Sequence, residues 1–163
     1  MAAKKKSNLP VWDLSDLYVA IDDPAIQKDL EACKRRAARF NKLYRTKIKK
    51  KITSAGLLYD VLAEYESIQQ SLAKPVIFAS LEFSCAQGDS ARGAFLQQMR
   101  QKWTEINQDL VFFNIELLEI PSARFKSFIR AKTLAVYANY LTRLQEDKEH
   151  MLTEQNEKVF ADF

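Results

Sequence analysis

The sequence is poor in residues that form tight turns, with three glycines and four prolines among 163 residues. This scarcity leaves little room for the hairpins of a many-stranded sheet or barrel. No stretch approaches the run of about 18 apolar residues that a membrane span needs. Lys4 to Lys6 precede no apolar segment, so the start is not typical of a secretory signal. We therefore expect a soluble, cytoplasmic, all-α protein without a membrane partner.

Histidine is scarcer still, because His150 is the only imidazole in the chain. A zinc hydrolase usually needs two or three histidine ligands, and a di-iron bundle needs two Glu-x-x-His motifs. The three glycines are isolated and form no phosphate-binding loop. Cys33 and Cys85 lack metal-ligand spacing, and we expect both to be reduced, packed thiols. The sequence therefore predicts no catalytic residue, metal ligand or cofactor in this chain.

Apolar residues recur instead at helical spacing along most of the chain. The Asp22-Asp23-Pro24 segment predicts the start of a long helix whose apolar face covers residues 26–48. Thr53 or Ser54 predicts the start of a second helix. Pro75 is expected to break or kink that helix, because proline disfavours helical geometry in the preceding residue.

Asp89-Ser90 caps the longest periodic run, which continues to Ile120. An unbroken helix over residues 90–120 would measure about 46 Å, more than the roughly 40 Å diameter of a compact globule of this length. Its second half is apolar on nearly all sides. We therefore expect a piece that lacks its partner surface and exposes some of Phe112, Phe113, Ile115, Leu117, Leu118, Val159 and Phe160. Further helices are predicted at 76–86, 122–131 and 134–147, with another starting at Thr153.

One segment, residues 34–51, holds ten basic residues and no acid. A cluster of this kind can bind phosphates by releasing condensed counterions. It can equally be a solvated face that complements the dipole at the end of a helix. Because no aromatic residue is interleaved for base stacking, we favour the solvated face. The ten residues are Lys34, Arg35, Arg36, Arg39, Lys42, Arg45, Lys47, Lys49, Lys50 and Lys51.

Three acids, Glu105, Asp109 and Glu116, lie roughly along one side of the long predicted helix. They suggest a metal or acid–base site, but without histidine partners we do not favour it. Glu116 lies within an apolar stretch, so we expect its carboxylate to make a buried structural hydrogen bond. The segment from Trp12 to Tyr18 is most simply an N-terminal strap packed on the helices.

Five short motifs, taken in order, resemble a known family. The Trp12-Asp13-Leu14-Ser15-Asp16-Leu17-Tyr18 segment, Lys74-Pro75, Phe112-Phe113-x-x-Glu116, Tyr140-Leu141 and His150-x-Leu-Thr-Glu are similar to segments of oligoendopeptidase F and its relatives among the thimet-type zinc metallopeptidases. Each motif is weak alone, and their common order makes the resemblance specific. The residues that carry it are Trp12, Asp13, Leu14, Tyr18, Pro75, Phe112, Phe113, Glu116, Tyr140 and His150.

The resemblance implies a role in peptide hydrolysis but no chemistry in this chain. The family's enzymes are helical clamshells whose channel admits short peptides, and their zinc ligands lie far downstream of the region matched. Residues 1–9 would be a flexible basic tail, and 10–163 the N-terminal helical region, cut off before the catalytic domain. The partners would be a zinc-bearing catalytic domain, in the same or a separate chain, and an oligopeptide substrate. The alternatives are a stand-alone helical module binding nucleic acid or another polyanion through residues 34–51, and a non-catalytic regulatory or degenerate relative.

Overall fold

The computed structural model describes residues 13–146, and this part of the chain is all-helical, as predicted. Within these residues, no helix combines the length and apolar character needed to cross a lipid bilayer. The elements are α1 (Pro24–Tyr44), α2 (Ile48–Lys51), α3 (Ala55–Cys85), α4 (Ser90–Asn107), α5 (Phe112–Leu118), α6 (Ser122–Ile129), a 3₁₀-helix (Lys132–Tyr137) and α7 (Ala138–Glu146). The long helix α3 packs against α1, α4 and the 3₁₀-helix, and α5 packs against α2 and α7.

The predicted starts of three helices are confirmed by their caps. The Asp23 carboxylate accepts a hydrogen bond from the backbone N–H of Ala25 at 2.9 Å. Ser54 Oγ accepts from Leu57 N–H at 3.3 Å, and Asp89 accepts from Ala91 N–H at 2.9 Å. Each side chain thus satisfies an amide that has no partner within its helix.

The prediction of one long basic helix with an apolar face over residues 26–48 is wrong, because α1 ends at Tyr44. Thr46 has a φ of 64°, a left-handed conformation that β-branched residues rarely adopt. Its backbone N–H donates to the Glu116 carboxylate at 2.6 Å, which holds the turn in place. The turn lets Ile48 start α2 and reach the core, where it is fully buried.

The break expected at Pro75 is also wrong, since α3 continues through this proline to Cys85. The expected helix 76–86 is therefore the second half of α3. Residues on both sides of the proline, including Leu72 and Phe78, are buried in the core. Burial of such side chains is worth about 1.5–3 kcal/mol each, comparable to the roughly 3 kcal/mol cost of an interior proline. Packing along α3 thus overrides the local preference of Pro75.

The helix expected over residues 90–120 is divided by a turn. Helix α4 ends at Asn107, whose carbonyl accepts from the N–H of Leu110 at 2.8 Å, and α5 begins at Phe112. The turn directs α5 back into the core. The expectation that its apolar residues face solvent is therefore wrong for Phe112, Phe113, Leu117 and Leu118, which are all buried, while Ile115 is half-buried. Val159 and Phe160 lie outside the described residues.

The centre of the core is an aromatic cluster at the end of α1. The Phe40 ring lies 5.3 Å from Phe113 and 6.1 Å from Phe112, measured between centroids. Tyr65 of α3 lies 4.5 Å from Phe113.

The two cysteines differ in burial. Cys33 is buried along α1, as expected for a packed thiol. The same expectation is wrong for Cys85, which is exposed as the last residue of α3.

Candidate functional site

A surface groove of about 330 Å³ lies between α3, the 3₁₀-helix and the start of α7. We call it the tyrosine groove, because three of its lining side chains are tyrosines. Val136, at its edge, is 73% exposed, and Tyr59 lies beside it with its ring 5.7 Å from that of Tyr137. The lining residues are Leu62, Tyr65, Glu66, Gln69, Val136, Tyr137 and Tyr140.

Helix periodicity explains how α3 forms one wall of the tyrosine groove. Leu62, Glu66 and Gln69 are spaced by four and three residues, so they lie on one face of α3. The other wall comes from a segment about 70 residues later, where the 3₁₀-helix and α7 follow each other directly. Leu134 of the 3₁₀-helix and Leu141 of α7 are fully buried and anchor this wall on the core.

The polar groups of the groove centre on Glu66. The Tyr137 hydroxyl donates to its carboxylate at 2.7 Å, and Gln70 donates to the other oxygen at 3.4 Å. Within residues 13–146 no lysine or arginine pairs with Glu66. Burial and the neighbouring Glu66 carboxylate raise the pKa of Tyr137 to about 12. The phenol therefore stays protonated and neutral at physiological pH.

A second cavity of about 290 Å³ adjoins the tyrosine groove and shares Tyr65 and Gln69 with it. We call it the amide cavity, since three carboxamide side chains line it. Gln69 Nε2 donates to Tyr65 Oη at 3.1 Å and to Asn107 Oδ1 at 3.0 Å. The Tyr140 hydroxyl donates to Asn114 Oδ1 at 2.6 Å. These groups offer both donors and acceptors of the kind that a peptide backbone requires.

The N-terminal motif residues pack on α1 and α3. The Tyr18 hydroxyl donates to Asp29 Oδ2 at 2.8 Å, and its ring lies 5.3 Å from Phe78 in an edge-to-face arrangement. Lys74 Nζ lies 4.2 Å from the centre of the Tyr18 ring and 3.5 Å from Asp29 Oδ2. Asp13 accepts from Ser15 N–H at 3.0 Å, and Leu14 packs against the core. Trp12, residues 1–9 and His150 lie outside the described residues, as does the helix expected from Thr153.

The Phe112-Phe113-x-x-Glu116 motif joins α5 to the end of α1. Both phenylalanines are fully buried. Glu116 makes a structural hydrogen bond, as expected, with Thr46 N–H as the donor, but the expectation that this bond is buried is wrong, because it lies at the surface. The turn after α4 means that Glu105, Asp109 and Glu116 no longer share one helix, and Glu105 pairs with Lys102 at 3.2 Å. Within residues 13–146 no group of three or more histidines, cysteines or acids is placed to hold a metal ion.

The ten basic residues are divided between α1, the turn after it and α2, and several stabilise the fold. Lys47 Nζ donates to the carbonyl of Lys42 at 2.9 Å, and Lys51 Nζ donates to that of Leu43 at 3.0 Å. Both cations satisfy carbonyls at the C-terminal end of α1, where positive charge complements the helix dipole. Arg36 donates to Ser67 Oγ at 2.9 Å and to Ser71 Oγ at 3.3 Å.

Six basic side chains remain exposed and have no hydrogen-bond or ion-pair partner within residues 13–146. We call these six the basic surface. They come from two helices separated by a turn, and not from the one long helix that the sequence predicted. The six are Lys34, Arg35, Arg39, Lys42, Lys49 and Lys50.

Comparison with known proteins identifies relatives among peptidases. Residues 116–163 match the family model described as Oligopeptidase F. Over 173 aligned residues the chain is 24% identical to oligopeptidase PepF of Bacillus subtilis strain 168, and the match covers 99% of this chain and 25% of PepF. The crystal structure of oligoendopeptidase-F from Enterococcus faecium shares the fold with a TM-score of 0.67 and 13% identity, covering 84% of this chain and 26% of that one. The chain thus spans about a quarter of the length of these relatives. The resemblance seen in the five motifs is confirmed: this chain is similar to the N-terminal region of oligoendopeptidase F-like peptidases.

Proposed function

We propose that this chain forms the N-terminal helical wall of the substrate channel of a cytoplasmic, zinc-dependent oligoendopeptidase, which hydrolyses peptide bonds in short peptides. The observation that carries the proposal is the match to PepF, which includes 99% of this chain but only 25% of PepF. A catalytic portion outside these 163 residues would supply the zinc ligands. The chain itself would shape the space in which peptides bind.

The packing of the long helices supports a wall-forming role. Helix α3 has 31 residues and packs against both α1 and α4, so a rigid helical layer lies behind the tyrosine groove and the amide cavity. The tyrosine groove opens beside exposed Val136 and Tyr59, and the amide cavity adjoins it through Tyr65 and Gln69. A wall of this kind contacts a peptide through side chains and excludes larger proteins by shape, without taking part in bond cleavage.

Complementation tests the proposal directly. The chain is mixed with a Bacillus subtilis PepF variant from which the matching N-terminal quarter has been removed, and cleavage of a short quenched fluorescent peptide is measured with zinc present. We expect neither component alone to cleave the peptide and the mixture to do so. An unrelated helical protein of similar size and charge serves as the control. Cleavage by the chain alone, or an inactive mixture of two folded components, would contradict the proposal.

The basic surface supports a second candidate, a module that binds nucleic acid or another polyanion. Its six side chains have no partner among residues 13–146 and can contact phosphates, whereas Lys47, Lys51 and Arg36 make hydrogen bonds that stabilise the fold. If the basic surface is only a solvated face, binding to nucleic acid should be weak and should disappear as the salt concentration rises. Submicromolar affinity for duplex DNA at about 150 mM salt, abolished by Lys49→Glu with Lys50→Glu, would favour this candidate. Binding seen only at low salt would exclude it.

A further inference from the structure

The charges that line the tyrosine groove are unbalanced. Its seven lining residues include one carboxylate, that of Glu66, and no lysine, arginine or histidine. This carboxylate accepts hydrogen bonds from the Tyr137 hydroxyl and the Gln70 carboxamide, and both of these groups are neutral. Arg36 approaches the neighbouring residue of α3, Ser67, but donates to the serine hydroxyls. The negative charge of Glu66 is therefore left without a cation in the described part of the chain.

We propose that the tyrosine groove binds the side chain of an arginine or lysine in a peptide segment, with the cation beside Glu66 and against the tyrosine rings. Tyrosine faces carry negative electrostatic potential and attract guanidinium and ammonium groups within about 6 Å. The groove's three tyrosines and Glu66 thus act on the same ligand charge. The cation site rests on these groups alone, while the choice of a peptide as its carrier rests on the proposed function.

The size of the groove fits one side chain. A volume of about 330 Å³ lies at the lower limit of pockets that bind small ligands, which is about 300 Å³. Leu62 and Val136 provide apolar contacts for the methylene part of a long basic side chain, which gains from burying its stem while its charge stays near the surface. A shorter or acidic side chain would leave this volume unfilled or place two negative charges together.

The amide cavity supports a peptide as the ligand. Gln69 and Tyr65 belong to both cavities, so a side chain in the tyrosine groove would bring its own backbone beside the carboxamides of Gln69, Asn107 and Asn114. Carboxamides both donate to and accept from peptide groups. The net charge of the chain is +4, so overall electrostatics repel a basic peptide. Preference for a basic peptide would therefore have to come from local groups.

Binding of blocked pentapeptides tests the proposal on the intact chain. The probes are fluorescently labelled acetyl-Gly-Gly-X-Gly-Gly-amides in which X is arginine, lysine or norleucine, measured by anisotropy at physiological salt. We expect the arginine and lysine peptides to bind about tenfold more tightly than the norleucine peptide. Equal affinities of all three, or no binding at millimolar concentration, would overturn the proposal.

Two sets of variants locate the site. Glu66→Gln should weaken the arginine peptide about tenfold and leave the norleucine peptide unchanged. Glu31→Gln is the matched control, because Glu31 is also an exposed helical glutamate that accepts from a glutamine four residues away. Tyr137→Leu should weaken the arginine peptide about fivefold, and Tyr137→Phe should weaken it less because the ring remains. Unchanged binding by Glu66→Gln would place the cation elsewhere and overturn the proposal.

The peptide-binding measurements test the cation site separately from the proposed wall function, because they do not require catalysis. Complementation of truncated PepF, measured with a peptide that lacks basic residues, reports on the proposed wall function alone. Preserved complementation without a preference for basic peptides would reject the cation site and retain the wall. Preference for basic peptides without complementation would reject the wall and retain the site.

Discussion

The two ends of α1 are fixed by different physical means. At its C-terminal end, Phe40 packs against Phe112 and Phe113 in a fully buried cluster, and Glu116 holds the adjoining turn. At its N-terminal end, Tyr18 binds Asp29 through a hydrogen bond that is only partly buried. Motifs of the family resemblance contribute to both ends. The difference shows that these motifs include both a buried aromatic cluster and a buried ring whose hydroxyl makes a partly buried polar contact.

The buried end should dominate stability. Truncation of Phe113 to alanine removes a fully buried ring and leaves a cavity between α1, α3 and α5. We expect Phe113→Ala to lower the free energy of unfolding by about 4 kcal/mol, measured by urea denaturation. Phe83→Ala, at a half-buried position of α3, is the control and should cost clearly less. Similar losses for the two variants would mean that the buried cluster at the C-terminal end of α1 does not dominate stability.

A smaller effect is expected from the hydrogen bond that holds the turn after α1. Glu116→Ala leaves the N–H of Thr46 without its carboxylate acceptor, so the left-handed conformation loses its main support. We expect a loss of about 1.5 kcal/mol in the free energy of unfolding, because the acceptor is charged. Glu119→Ala, an exposed glutamate at the end of α5, should change the stability little. Equal effects of the two substitutions would mean that the bond to Thr46 does not stabilise the turn.

The polar end should give the smallest change, and this change should depend on pH in the alkaline range. Tyr18→Phe removes the hydrogen bond to Asp29 and keeps the ring against Phe78, so we expect a loss of about 1 kcal/mol near neutral pH. Tyr59→Phe, which alters a tyrosine at the surface, serves as the control. Thermal melts of both variants are compared with the unsubstituted chain.

The pH dependence follows from the raised pKa of Tyr18. Burial, the hydrogen bond to Asp29 and the charge of that carboxylate all raise the pKa above its ordinary value of 10.0. Since the folded pKa exceeds the unfolded one, the stabilisation is complete below about pH 10 and declines as the pH rises further. The difference between the unsubstituted chain and Tyr18→Phe should therefore narrow above pH 10. A difference that stays constant would contradict this account.

The start of a helix was predictable wherever its cap is formed by residues that are close in sequence. The caps at Asp23, Ser54 and Asp89 act within three residues, so the sequence shows them directly. The turn after Tyr44 was not predictable, because it depends on a bond from Thr46 to a residue 70 positions later. The apolar period continues across both missed turns, so periodicity alone indicates longer helices than the fold contains.

The tyrosine groove was also not predictable from the sequence, because it depends on contacts between residues that are distant in the chain. Tyr140 belongs to a motif that the sequence analysis selected, but Glu66 and Gln69 were not selected. Their importance arises only when α3 meets the 3₁₀-helix, which brings Tyr137 to Glu66 across 71 positions. The one available signal was the spacing of Tyr59, Leu62, Glu66 and Gln69 on a single helical face, and it does not identify the opposite wall.

Pro75 has a consequence for the motion of α3. Because proline has no N–H, the carbonyl of Ser71 lacks its usual helical donor, and the helix is most easily bent there. The segment before this point carries Glu66 and Gln69, whereas the segment after it carries Phe78, which contacts Tyr18 and Phe95. Pro75 thus lies between the part of α3 that contacts the N-terminal strap and the part that lines the two cavities, so a force applied at the strap would act on the helix first at its weakest hydrogen-bonded turn.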